Sequence, residues 1–449
     1  MINKIKTISN FKTLKYLYGI TFTPMKTFSN LAESFGDVIC LKFWNESVYL
    51  VNEPEVIKHI LKTNYENYPR GKSIADLKPL LGSGLFLSDG ELWKSQHKLL
   101  QPSFHNSKME SFYKMFNDEM SKSINHLENK SMQNGYVDLE HELKDLLFTL
   151  TIKHLISNEA NLNNQSLIEG LSSILKQTSN KSHYIRLVKS LLTGKKVTIF
   201  DSSRPRKTLS EIYRLVDELF NQLVNNEIQP GNLMHPLVEE YKSGRIPAQQ
   251  VKDEMQTILF AGYDTVAQGI LWLIYFLSMN NDWYEKIFEE LNRIDKNIDE
   301  SKINLTDTPI LNACIKETLR LLPPAWAFYR TVLQDDNIDG YFFRKNSFIM
   351  ISPYILHRNK KYWKSPEEFN PKRFLGESEI NPFHYIPFGQ GPHICIGNRL
   401  AQIEIQLIAI RLLRSFKFKF ESPRKSIPEL NPEAIISSKK AVRVVIEKR

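Results

Sequence analysis

The sequence predicts a mainly α-helical chain with a smaller β region. Three observations predict it. Apolar residues recur every three to four positions through Glu110–Leu175 and Leu209–Val224, the helical period. A nearly unbroken apolar run fills Ile258–Leu277. Strand-like pieces are short and confined to two neighbourhoods, near residues 38–51 and 326–351. Hydrophobic residues make up 42% and charged residues 24% of the 449, an ordinary globular balance. Length alone suggests two or three domains. Without an internal repeat or a shift in composition, residues 1–449 read as a single domain.

The first thirty residues hold Lys4, Lys6, Lys12, Lys15 and Lys26 and no acid. That composition is loosely that of a transit peptide. Against it, arginine is absent there, and Leu31–Gly36 reads as the end of a folded helix. Val38–Phe43 and Val48–Val51 read as two short strands, and Pro54 opens a helix where its missing N–H does no harm. Thr193–Pro205, with Gly194, Ser202, Ser203 and Pro205, reads as a surface loop.

A helix is expected over Gln249–Leu277. Its apolar part is nearly long enough to span a membrane, but Asp264 and Gln268 inside it would be costly in lipid, so it reads as buried in protein. A helix over Pro309–Leu322 stops at Pro323-Pro324. Trp326–Val332, Tyr341–Phe343 and Phe348–Ile351 are strand-like. Asn359–Pro387 is a long, Pro- and charge-rich stretch with little periodicity. The last helix starts near Asn398, with Leu400, Ile403, Leu407, Ile410 and Leu413 on one face.

Lys plus Arg exceeds Asp plus Glu by 59 to 50, a net +9. The excess suits an acidic partner or an anionic surface. No run of five basic residues points to nucleic acid. Cys40, Cys314 and Cys395 form no Cys-x-x-Cys, which argues against a disulfide framework and a structural zinc, and favours a reducing compartment. No apolar stretch near the start is long enough for a transmembrane anchor, so a cytoplasmic location is expected.

The strongest chemical signal is Phe388-Gly389-Gln390-Gly391-Pro392-His393-Ile394-Cys395-Ile396-Gly397. Glycines let backbone approach a flat group and turn sharply. A thiol close to the start of the Asn398 helix meets amides and a dipole that favour its anion. The plain alternative is a buried cysteine acting as a small hydrophobe.

The spacing resembles the heme-binding signature of the cytochrome P450 family, Phe-x-x-Gly-x-Arg/His-x-Cys-x-Gly. The resemblance implies that Cys395 is the axial ligand to the iron of heme b (iron protoporphyrin IX), with Phe388 and His393 beside it. His393 stands where many members carry Arg.

The resemblance extends along nearly the whole chain. Glu317 and Arg320 look like the family's Glu-x-x-Arg pair, one helical turn apart. Arg373 lies in Phe369–Phe374, which resembles Phe-x-Pro-x-Arg-Phe. The three are expected to form a buried structural network. Ala261-Gly262-Tyr263-Asp264-Thr265 resembles the oxygen-activation motif. It implies Thr265 as the residue that holds bound oxygen and its water, and Asp264 as the proton relay. Trp93 and His97 resemble the Trp-x-x-x-Arg pair that meets a heme propionate, and Arg330 sits where another propionate-binding arginine is common. Two histidines in place of arginines imply pH-sensitive heme retention.

The family likeness implies the P450 fold, with heme between the Asp264 helix and the Cys395 loop. It also implies insertion of one atom of O2 into a lipophilic small molecule such as a fatty acid, terpenoid or carotenoid. Electrons would come from a separate ferredoxin or flavodoxin with its reductase, docking on Lys94, Lys98, Arg399, Arg411 and Arg414. The substrate pocket is expected to draw on 72–86, 180–200, 260–265, 324–328 and 434–437. Short linkers and the character of the start suggest a bacterial type. A peroxide-dependent heme-thiolate enzyme and a non-catalytic heme sensor are the alternatives.

Overall fold

A computed structural model describes residues 5–43, 46–104, 110–156, 168–171, 174, 203–294, 306–376, 379–420 and 428–449. The principal sheet runs in the order β1-β2-β3-β8-β5. β1 is Lys6–Ser9, β2 Val38–Phe43, β3 Glu46–Val51, β5 Phe328–Thr331 and β8 Phe348–Ile351. β1 lies parallel to β2, and β2 turns back antiparallel on β3 with Ile39 opposite Leu50. β8 then joins β3 in parallel and β5 in antiparallel register. This places Arg330, opposite Ile349, on the edge strand of the sheet. The expected strands all form, while β1 was not foreseen: four residues with one buried side chain carry almost no alternation to read.

A smaller sheet ties distant parts of the chain together. β12 (Arg443–Lys448) pairs with both β4 (Val137–Asp138) and β9 (Phe416–Phe420). β6 (Asp336–Ile338) pairs with β7 (Tyr341–Phe343), and β10 (Leu430–Pro432) with β11 (Ile436–Ser438).

Helices supply the bulk. In chain order they are α1 Asn10–Phe22, α2 Pro24–Phe35, α3 Pro54–Lys58, α4 Lys78–Leu81, α5 Gly90–Leu100, α6 Glu110–Asn134, α7 Leu139–Leu155 and α8 Ser203–Val224. They continue with α9 His235–Lys242, α10 Ala248–Ala261, α11 Asp264–Met279, α12 Asn281–Arg293, α13 Pro309–Leu321, α14 Pro353–Leu356 and α15 Asn398–Ser415. α11 is buried from Val266 to Leu277 and apolar on every side from Ile270 onward to Leu277, as suits a central core helix. α7, α12, α13, α15 and β9 pack around it. The run 248–279 is long and apolar enough to cross a membrane, yet 78% of its apolar window lies inside the protein.

Two readings change. The expected 249–277 helix is interrupted at Gly262-Tyr263, giving α10 and α11. The expected loop over 193–205 lies partly outside the described residues, and its end is already α8, which starts at Ser203. Pro205 falls in the first turn, where proline removes no needed donor. The segment 180–200 also lies outside the described residues.

Candidate active site

The loop before α15 is held by its own backbone and by the core. Cys395 N–H donates to the Phe388 carbonyl at 2.9 Å, and Gly389 N–H to that of Ile386 at 3.0 Å. Gly391 has φ +77°, and a Cβ there would fall 1.9 Å from the Leu61 carbonyl oxygen. A side chain is therefore excluded at that point. Cys395 stays accessible although protein atoms surround it closely enough to desolvate it, so it faces an internal cleft. Burial pushes its thiol up, while the Gly397 N–H and the Arg70 guanidinium favour the anion.

The distal helix opens toward a cleft on one side only. Ile258, Ala261, Gly262 and Thr265 are accessible, whereas Leu259, Phe260, Tyr263 and Asp264 are buried. The spacing i, i+3, i+4, i+7 is one helical face. At the interruption the Thr265 hydroxyl donates to the Ala261 carbonyl at 3.0 Å, taking up an acceptor that the helix ladder would otherwise use.

Asp264 points elsewhere. It is 4% exposed, ion-paired with Lys144 of α7 at 3.1 Å and approached by Gln268 Nε2 at 3.4 Å. Lys144 also meets Glu140 at 2.9 Å, and Gln268 donates to the same Glu140 oxygen at 2.8 Å. Burial works against the Lys144 charge, but Asp264 and Glu140 outweigh it and hold its pKa above the ordinary value.

A cationic and aromatic cluster gathers behind the cysteine loop. Trp93 is buried on α5, with its ring 3.9 Å from that of His393 and 5.0 Å from that of His97. Arg70 Nη2 donates to His393 Nδ1 at 3.0 Å. Burial and the nearby guanidiniums of Arg70 and Arg330 push His393 down to about 3. His97 is lowered by burial and by Arg70. Burial and Arg70 bring Arg330 down to about 9, with Asp89 as the acid that offsets them. Arg70 was missed in the sequence. It stands between Pro69 and Gly71 without motif or period, and only folding carries it to His393, far along the chain.

Iron protoporphyrin fits these residues. A buried guanidinium, Arg330, and a partly buried one, Arg70, crowd each other with Asp89 as the acid that faces them among the described residues, which suits the two carboxylates of a porphyrin edge. An accessible sulfur sits just before α15, and the small residues Ala261 and Gly262 lie on the open face at the helix interruption. Phe388 is half-buried beside the loop it shares with the cysteine. His393 gives up its charge to Arg70 and Arg330, so the positive charge comes from arginine after all.

The three structural residues meet. Arg320 Nε and Nη2 donate to Glu317 at 2.7 and 2.9 Å. Arg373 Nε reaches Glu317 at 3.3 Å. Arg320 also donates to the carbonyls of His357, Pro366 and Glu368.

The expected docking cations differ in their surroundings. Lys94 is bridged to Glu66 and Glu91, Arg411 donates to Ser121, and Arg414 caps the carbonyls of Leu291 and Ile294. Lys98 and Arg399 are exposed. On the expected pocket wall, Trp326 is buried and donates from Nε1 to the Glu433 carbonyl at 2.7 Å, and Ile436 N–H bonds the Pro324 carbonyl.

Comparison with known proteins agrees with this geometry. A family model described as Cytochrome P450 matches residues 11–445. Among curated proteins the chain is similar to "Probable cytochrome P450 4ac3" of Drosophila melanogaster, 26% identical over 96% of this chain and 87% of that one. It is 28% identical to "Cytochrome P450 4c3" of the same fly over 89% of this chain and 80% of the relative. "Protein LUTEIN DEFICIENT 5, chloroplastic" of Arabidopsis thaliana is 25% identical over 93% of this chain and 73% of its own length.

Proposed function

The chain belongs to the cytochrome P450 family, whose members are heme b monooxygenases, and we propose that it places one atom of O2 on a lipophilic organic substrate, such as a fatty acid, terpenoid or carotenoid. The balance is one C–H bond converted to C–OH, with two electrons and two protons carrying the second oxygen away as water. When bound, the heme supplies an iron that takes up and reduces dioxygen, with thiolate donation favouring O–O cleavage.

The residues divide the remaining work. Cys395 supplies the sulfur ligand. Arg330, Arg70, His393, His97 and Trp93 orient the porphyrin carboxylates, and Phe388 packs beside the loop. Glu317, Arg320 and Arg373 brace the segments leading to that loop. Thr265 presents a hydroxyl on the accessible face of the helix interruption, where it holds water. Asp264 carries protons in from the Lys144–Glu140 side.

The observation that carries the oxygenase reading is the interrupted helix itself. A hydroxyl on the open face and a buried, polar-connected acid on the preceding residue support a proton route, which a gas sensor does not need. The substrate class is supported by the apolar wall of Phe86 and Phe260. A ferredoxin or flavodoxin with its reductase is the donor we favour, on the net charge of +9. We read residues 1–449 as one domain, tied by the pairing of β12 with β4 and β9. Burial of the 248–279 run supports reading it as a core helix rather than a membrane span. The bacterial-type reading rests on short linkers and the composition of the first thirty residues; the relatives named are from animals and a plant.

The test has two steps. The reduced carbon monoxide complex should show the red-shifted band of thiolate ligation, and Cys395→Ser should abolish it. With a generic ferredoxin pair, lipid oxidation should then require oxygen, Thr265 and Asp264. Turnover from peroxide alone would select the peroxide-dependent reading, and binding without turnover the sensor.

A further inference from the structure

The segment Gly82–Ser88 forms a strap between α10 and the cationic cluster. Two consecutive acids of α10 hold one side of it. Asp253 accepts the Ser83 N–H at 2.7 Å, and both oxygens of Glu254 accept the Leu85 N–H at 3.1 and 3.0 Å. Gln249 steadies Asp253 at 2.7 Å. On the other side Arg70 donates to the Leu85 carbonyl at 3.1 Å. One residue, Leu85, is thus tied to α10 by its N–H and, by its carbonyl, to the arginine that also holds His393.

The approach is tight. A Cβ on Gly84 would fall 2.2 Å from Thr257 Oγ1 and 2.6 Å from the Asp253 carbonyl oxygen. Phe86 follows, with its ring 6.0 Å from that of Phe260, the residue before the accessible Ala261. Two adjacent buried acids are expensive unless they hold something. Here the groups they hold are the strap's own N–H groups and Gln249.

We infer that Asp253 and Glu254 are positioning residues for the substrate pocket: they fix the 82–88 strap so that Phe86 lies against Phe260 and forms an apolar wall beside the accessible face of α10. This rests on reading that cleft as the heme and substrate site. A molecule long enough to leave the iron and reach Phe86 senses the strap, and a molecule confined to the iron does not. Burial pushes the Glu254 carboxyl up to about 8, so near neutral pH glutamine matches it in both shape and charge.

The experiment uses the full-length heme protein and two iron-ligating probes, imidazole and 1-octylimidazole, titrated by the optical shift. Glu254→Ala and, separately, Gly84→Ala should weaken 1-octylimidazole about fivefold or more, the size of one lost hydrogen bond. Imidazole should change by less than about twofold on the same scale, and Glu254→Gln should stay close to wild type. In a Phe86→Ala background the Glu254→Ala effect on the tailed probe should vanish, because the wall it positions is gone. Equal weakening of both probes, or an undiminished effect without Phe86, overturns the inference. If Glu254→Ala fails to load heme, Gly84→Ala and Glu254→Gln still decide it. Absence of a thiolate-type carbon monoxide complex in the wild type would instead reject the functional reading beneath it.

Discussion

His357 accepts the backbone N–H of Ile386 on Nε2 at 2.8 Å while its Nδ1–H donates to the Arg320 carbonyl at 3.1 Å. The ring is wholly buried and fixed as one neutral tautomer. It joins α13, which carries Glu317 and Arg320, to the chain entering the Cys395 loop. Charging it would remove the acceptor that Ile386 needs.

Burial first, then Arg320, pushes His357 down to about 3 from an ordinary 6.5. The folded state therefore binds fewer protons than the unfolded state between those values. Its contribution to stability is full above pH 6.5 and is lost as pH falls toward about 3. At pH 5 the loss is about 2 kcal/mol. Urea midpoints of wild type and His357→Asn at pH 7 and pH 5 check this. The wild type should lose more on acidification, and parallel losses would reject it.

Arg320 has no exposed side-chain surface and makes five hydrogen bonds, two of them to Glu317. Arg320→Leu strips the buried Glu317 carboxylate of its closer guanidinium, at about 3–5 kcal/mol. Arg373 is more exposed and makes a longer bond to Glu317, so Arg373→Leu should cost less than half as much. Denaturant midpoints together with heme content per mole of protein give the ranking. Equal losses would contradict the geometry.

Asp264→Asn keeps the shape beside Lys144 but cannot carry a proton. Turnover should fall about 100-fold, the usual share of a positioned acid or base, while the affinity for 1-octylimidazole stays constant. The solvent deuterium isotope effect on turnover should rise. Unchanged turnover would remove Asp264 from the proton route.

Lys98→Glu and Arg399→Glu should raise the Michaelis constant for the electron donor, more at low salt than at high salt. Lys94→Glu should do little, because Glu66 and Glu91 already neutralise Lys94. Three equal effects would dissolve the patch into general charge.

Several elements were legible because their cause is local. Val38–Phe43 and Phe348–Ile351 are strands by composition. The helix ending at Leu321 is stopped by Pro323-Pro324, and Gly36 at φ +107° closes α2 where Leu31–Gly36 predicted an end. The interruption at Gly262 was hidden because it depends on a threonine hydroxyl competing with the ladder, and the apolar period runs straight through it. Arg70, Asp253 and Glu254 were hidden for another reason. A charged residue outside any motif looks like a solvated one until its neighbours are known.

By itself the sequence determined the mainly helical class, the placement of five of the twelve described strands, and the spacing of Cys395, Glu317, Arg320 and Thr265, all properties of short windows. Tertiary structure alone decided which charges face one another: Arg70 with His393, Lys144 with Asp264, Glu254 with Leu85. Electrostatic environment is set by distance and burial in space, and those are fixed only when segments far apart in the chain close on a shared interior.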